Sequence, residues 1–142
     1  GLKVTGADKL RERITNRASK KVIADAEKRL PFKDKEFDVV IFSGVIQYLR
    51  NAGSALNEIN RILRERGILV LTTVNRNSLL RRAGLIKREP KKDAGEHRIF
   101  SEQELKNLLS FNKFRVLDVL GADFAGMPKA LSSNLVVVAI KS

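Results

Sequence analysis

An α/β domain built on a mostly parallel sheet is what this 142-residue sequence predicts, and three observations predict it. Apolar, β-branched runs alternate with segments of helical periodicity along the chain. Residues 39–42 and 68–71 are continuously apolar, the pattern of parallel strands covered on both faces. The length suits one hydrophobic core and is too short for two.

The elements follow in order. Residues 2–7 (LKVTGA) read as a short strand ending at Asp8. Residues 9–20 place Leu10, Ile14 and Ala18 at four-residue spacing, which predicts an amphipathic helix with a charged outer face. Val22, Ile23 and Ala24 form a minimal strand ending at Asp25, and Leu30-Pro31-Phe32 opens a turn-rich loop. Residues 37–43 (FDVVIFS) are the first buried strand. Residues 53–65 are the clearest helix, with Ala55, Leu56, Ile59, Ile62 and Leu63 on one stripe and Gly67 where a left-handed cap is wanted. Residues 68–73 are the second buried strand.

Residues 76–98 lack clear periodicity and read as a loop excursion. Ser101 and Glu104 then spell a capping box, opening a helix whose inward residues are Leu105, Leu108 and Leu109. Residues 114–120 and 135–140 are the last two strands. No convincing helix separates them, so they are expected to pair antiparallel at one edge. Strands joined through helices imply right-handed crossovers, hence a Rossmann-like sheet.

Composition narrows the function. Hydrophobic residues make up 43%, as in globular proteins, and no apolar run approaches the ~20 residues of a membrane helix. The absence of cysteine excludes disulfides and thiol chemistry, and points to the cytoplasm. A single histidine and scattered carboxylates make no metal-ligand set. The net charge of +12 is concentrated in residues 9–21, six basic residues against Glu12, and in residues 76–98, eight against Glu89, Asp93 and Glu96. Such segments attract phosphate-rich partners, yet no aromatic residues interleave them as a base-stacking surface requires. A solvated face is the simpler reading.

Ligands of open parallel sheets bind at the carboxyl ends of the strands. Here those ends carry Asp8, Asp25, Ser43-Gly44 and Asn75. An acid at a strand end is placed to accept from both hydroxyls of a ribose, and one after the next strand from an exocyclic amine.

Val4-Thr5-Gly6-Ala7-Asp8, Ala24-Asp25-Ala26-Glu27-Lys28-Arg29-Leu30-Pro31-Phe32 and Phe37-Asp38-Val39-Val40-Ile41 resemble the class I S-adenosylmethionine-dependent methyltransferases, in the ubiquinone/menaquinone-biosynthesis-type subgroup. The resemblance continues through Leu56 to Leu63, Arg66-Gly67-Ile68-Leu69-Val70-Leu71, and His97-Arg98-Ile99-Phe100-Ser101. It implies a three-layer sandwich with strand order 3-2-1-4-5-7-6 and S-adenosylmethionine as cofactor. By the same resemblance Asp8 binds the ribose, Asp25 faces the adenine amine with Ala26 lending a backbone amide, and Ser43 and Gly44 lie near the methionine part. Tyr48 falls where members often present a substrate-facing side chain, or else is a packing residue. His97 is a base or acceptor contact, or else a loop histidine beside the capping box.

The family's glycine-rich loop follows its first strand, upstream of the ribose-binding acid, and only seven residues precede Asp8. The resemblance therefore implies one domain, residues 1–142, that is N-terminally incomplete, lacks the family's central first strand and binds the cofactor weakly or not at all by itself. The flanking strands are expected to close up, or a second chain (a copy of this one or another partner) to complete the sheet; the third possible outcome is that the N-terminal unit swings away. The function expected is the C-terminal portion of a methyltransferase acting on a small molecule or RNA by holding acceptor and methyl in line. The alternative is a noncatalytic module that binds RNA or a protein through its basic segments.

Overall fold

The computed structural model describes residues 2–14, 17–85, 98–123 and 128–142. In chain order its elements are β1 (Thr5–Asp8), β2 (Lys20–Ile23), β3 (Phe37–Ser43), α1 (Ala52–Ile62), β4 (Leu63–Val74), α2 (Leu79–Arg82), α3 (Glu102–Phe111), β5 (Phe114–Gly121) and β6 (Asn134–Lys141). They build two sheets. β1 and β2 pair in parallel by themselves, and the other four strands run β3-β4-β6-β5.

Alternation along the strands divides the larger sheet into two unlike faces. Phe42 pairs with Leu71, Leu71 with Val137, and Leu69 with Ala139, which puts these side chains on one face. That face packs against Leu56 and Ile59 of α1, Leu105 and Leu109 of α3, and Phe114, all buried in one cluster. The intervening residues face the other way. Val39 and Ile41 are 51% and 71% exposed, and Ile68, Val70, Val136, Val138 and Ile140 are half-buried. The sandwich of the described residues is thus two layers deep here, not three, and β3 is not covered on both faces. Its continuous apolar run marks a parallel strand, as expected, with only one side enclosed.

Pairings also depart from a mostly parallel sheet. β1–β2 and β3–β4 are parallel, while β4–β6 and β5–β6 are antiparallel. The antiparallel edge pair is as expected, but β6 enters between β4 and β5 and adds a second antiparallel ladder. β1 and β3 do not pair, so the flanking strands have not closed up. β3 pairs with β4 on one edge and has no strand on the other among the described residues.

Three local expectations change. Within residues 9–20 the described chain holds one 3-10 turn, Arg11–Arg13, rather than a helix. It packs mainly on β1 and β2, where Ile14 is buried and Leu10 stays 42% exposed, and a stripe without a large surface to cover cannot sustain a helix of this length. Gly6 belongs to this packing, because a Cβ there would collide with Ile14 Cγ2. Helix α1 ends at Ile62, with Leu63 already extended and starting β4. The left-handed residue beyond is Arg66 (φ 61°), not Gly67. Gly67 is required for space instead: a Cβ would lie 2.9 Å from the Arg64 carbonyl and 3.2 Å from that of Asp38.

The loop from Leu30 to Asp34 is tied to α1 by one guanidinium. Arg61 Nη1 donates to the Phe32 carbonyl at 2.9 Å and to Asp34 at 2.7 Å. Nη2 donates to the Leu30 carbonyl at 3.0 Å and to Glu58 at 2.8 Å, and Nε to Glu58 at 3.0 Å. Phe32 also meets Phe37 edge-on at 5.1 Å. The Leu-Pro-Phe signature is therefore a structural anchor.

Candidate functional site

The carboxyl ends of β1 and β2 bring two acids together. Asp8 closes β1 opposite Ile23, and the Ala24 amide donates to the Asp8 carbonyl at 3.0 Å, which carries the chain on to Asp25. Asp8 Oδ1 accepts from the Leu10 amide at 2.9 Å; Oδ2 has no hydrogen-bond partner among the described residues. Asp25 Oδ1 accepts from the Glu27 amide at 2.9 Å and sits 3.1 Å from the Lys9 ammonium. Burial pushes this carboxyl up, but the Glu27 amide and Lys9 outweigh it and hold it below the usual carboxylate range. Asp25 is thus ionised near neutrality and already shared with a cation. Ala26 is half-buried against the core, which fixes the turn.

Ser43 and Gly44 stand at the end of β3, on the other sheet. Ser43 Oγ and Thr72 Oγ1 are 2.8 Å apart, and the Gly44 amide donates to both the carbonyl and the hydroxyl of Thr72 at 3.0 Å. Gly44 has φ 64°, a conformation in which a side chain is strained. Thr72 therefore clamps the chain at the point where β3 turns away from the sheet. Sequence reasoning missed it; the available signal was a second hydroxyl at the facing position of the neighbouring parallel strand.

Below this clamp, Thr73 Oγ1 donates to Gln47 Oε1 at 3.1 Å, both side chains buried. Tyr48 closes the 3-10 turn Ile46–Tyr48 and is half-buried. Asn75, at the end of β4, is buried and structural: its Nδ2 donates to the carbonyls of Ser132 and Lys129, at 2.9 and 3.3 Å, and its Oδ1 accepts from the Asn77 amide. His97 lies outside the described residues.

The structure thus joins Asp8 with Asp25 and Ala26, and joins Ser43 with Gly44, without pairing the strands that carry the two groups. The acids offer oxygens suited to hydroxyls and an amine, and Gly44 offers a close approach to backbone. These fit the ribose, adenine and methionine ends of S-adenosylmethionine. A glycine-rich turn between the two groups is not among the described residues. Nor do they contain a group of three or more potential metal ligands, or a helix long and apolar enough to cross a membrane.

Comparison with known proteins bears on the family and the fold. An uncharacterized protein of Methanocaldococcus jannaschii is 27% identical over 135 residues, covering 80% of this chain and 53% of its own length. The chain spans about half or less of the curated relatives it matches. Among solved structures, a SAM-dependent methyltransferase of Thermotoga maritima, described as a possible histamine N-methyltransferase, superposes with a TM-score of 0.65 at 26% identity, over 86% of this chain and 64% of that one. A putative methyltransferase of Haloferax volcanii, in complex with the Trm112 methyltransferase activator, has the same fold, with a TM-score of 0.72 at 15% identity over 99% of this chain and 72% of that one. Residues 1–71, half of the chain, match the methyltransferase domain, and the chain belongs to that family.

Proposed function

We propose that this chain is the C-terminal portion of an S-adenosylmethionine-dependent methyltransferase whose cofactor site is completed by another stretch of polypeptide. The observation that carries the reading is the division of the site. Asp8 and Asp25 stand on one small sheet, the Gly44 turn on the other, and β3 has no strand on its second edge among the described residues. A parallel strand entering there would pair its amides and carbonyls with both sheets. A glycine-rich turn at its end would lie between the acids and Gly44.

In that arrangement Asp8 accepts from the ribose hydroxyls and Asp25, released from Lys9, from the adenine amine, with the Ala26 amide beside it. Ser43 and Gly44 face the methionine portion. The sulfonium supplies an already activated methyl group, so the protein's contribution is to hold the acceptor in line with it and exclude water. Tyr48 and His97 are candidates for contacting the acceptor, a small molecule or an RNA nucleoside. The completing strand comes from a preceding segment, a second copy or a partner chain; the association of the Haloferax protein with an activator supports such assistance. We place the protein in the cytoplasm.

Calorimetric titration with S-adenosylhomocysteine tests both halves. The 142-residue chain is expected to show no micromolar binding, and clear binding refutes the incompleteness. A chain extended upstream in its own gene, or mixed with its completing partner, is expected to bind, and to lose binding with Asp8→Ala. Failure of every completed form to bind refutes the methyltransferase reading, and salt-sensitive RNA binding by such a form then favours the noncatalytic module.

A further inference from the structure

The carboxyl edge of the described structure is divided by charge. The β1–β2 end holds Asp8, Asp25 and Glu27, with Lys9 across the last two. The β4 end is the reverse. Around it stand Arg76, Arg81, Arg82, Arg98, Lys106 and Lys129, against Glu102, Glu104 and Asp123 among the described residues. Glu104 takes Arg76 at 2.6 Å and Arg98 at 3.8 Å, and Glu102 takes Lys106 at 2.7 Å and Lys129 at 2.8 Å. Arg81 and Arg82 have no acidic partner among the described residues. The acids lie on the side proposed for the cofactor and the surplus cations on the side left for the acceptor.

Those two arginines sit among exposed leucines. Leu79 is 48% and Leu85 73% exposed. The segment is held in this posture. Ser78 is buried, donates to the Leu131 carbonyl at 2.9 Å and caps α2. The Leu79 amide donates to the Ala130 carbonyl at 2.9 Å, and the Leu85 amide to that of Leu80 at 3.0 Å. A fixed turn thus presents apolar side chains and two guanidinium groups, without an acidic partner among the described residues, together at one mouth of the sheet. An isolated exposed leucine is ordinary. Leucines alternating with arginines form the surface that meets the boundary between lipid headgroups and acyl chains. Nucleic acid fits less well: among the described residues no aromatic side chain joins Arg81 or Arg82, and Phe100, 4.9 Å beneath Arg98, is buried and closed to a base.

Building on the methyltransferase reading, we propose that residues 78–85 form the docking rim for an amphiphilic acceptor, an apolar body with an anionic headgroup, taken from an anionic lipid surface. Arg81 and Arg82 meet the headgroup region, Leu79 and Leu85 enter the apolar layer, and the acceptor reaches the Gly44 turn from that side. The rim needs no cofactor, so its test is independent of methyl transfer.

Co-sedimentation with vesicles of phosphatidylglycerol and phosphatidylcholine, without cofactor, provides that test. The chain is expected to bind these vesicles and to ignore phosphatidylcholine alone. R81Q/R82Q should lower partitioning about thirty-fold, at the energy typical of a basic residue near an anionic surface. L79S/L85S should lower it at least about ten-fold, from lost apolar insertion. Circular dichroism establishes that the variants are folded, and R82Q alone, at an exposed position, serves if the double variants are not. Loss with the arginine variants but none with the leucine variants overturns the proposal, leaving a purely anionic ligand. Binding to a single-stranded RNA oligonucleotide with no preference for anionic vesicles overturns it in favour of nucleic acid, and absence of binding to either overturns it outright. Loss of S-adenosylhomocysteine binding in a completed form, with vesicle binding intact, would refute the methyltransferase reading alone.

Discussion

Replacing Arg61 by methionine removes one side chain and detaches a loop. The guanidinium is 18% exposed and Glu58 21%, so both interact in a partly dehydrated setting. Methionine keeps the stem's apolar contacts but leaves the Leu30 and Phe32 carbonyls without their donor, at about 1 kcal/mol each. The Glu58 carboxylate loses a two-pronged partner, about 1 kcal/mol more once solvent screening is allowed for. Asp34 is largely exposed and adds little. The expected total is about 3 kcal/mol, which in urea unfolding is a midpoint shift of about 1.5 M at an m-value of about 2 kcal/mol per M. Acid gives a second readout. The Arg61 hydrogen bonds hold Glu58 below its ordinary value of 4.5, with burial opposing them and the Leu30 amide assisting. A carboxylate depressed in the folded state contributes stability above its unfolded value, and that contribution disappears as pH falls through the folded one. The variant should therefore lose less stability between pH 5 and pH 3 than the parent. A cost below about 1 kcal/mol, against the sum of these bonds, would refute the reasoning. So would strict additivity of Arg61→Met with Glu58→Gln in a double-mutant cycle.

Thr72→Val should cost about 1 kcal/mol in urea unfolding by removing the hydroxyl that Ser43 and the Gly44 amide share, and in a completed form it should weaken S-adenosylhomocysteine binding. Gly44→Ala should cost about 1–2 kcal/mol from its left-handed backbone, even though nothing lies within 4 Å of the added methyl. Ser101→Ala should remove about 1 kcal/mol by opening the capping box, in which the Ser101 hydroxyl accepts from the Glu104 amide at 3.2 Å. Lys9→Met should raise the Asp25 carboxyl toward its ordinary value of 3.8, read by carbon-detected NMR titration, because burial then faces one fewer opposing interaction.

What could be read from the sequence was whatever depends on neighbours in the chain. The capping box at Ser101 formed as its spacing requires, and Leu105 and Leu109 are buried. Residues 37–43 proved to be β3, end to end. Burial was less legible because it depends on what lies across the sheet. The run of Val39 to Phe42 is the same whether or not a layer covers its outer side, and Val39 and Ile41 are exposed. Residues 9–20 have helical spacing, but periodicity states only which face would be buried, not whether a surface is there to bury it. Site positions at strand ends were legible because Asp8, Asp25 and Ser43 close or follow their strands. The Thr72 clamp and the Lys9–Asp25 pair were not, since each joins residues whose proximity is set by strand register or by a turn.

The placement of β6 has a consequence for the order in which the protein is made. The last of the described strands is internal to the larger sheet, hydrogen-bonded along both edges, to β4 and to β5. During synthesis β5 leaves the ribosome with no strand to join, and β4 waits with one long edge unpaired beside β3. Two exposed ladders therefore persist until Asn134–Lys141 emerge, when a single segment closes both together. Cooperative formation of the sheet is deferred until that segment is available, and the nascent chain is most open to chaperones and to wrong strand partners just before it.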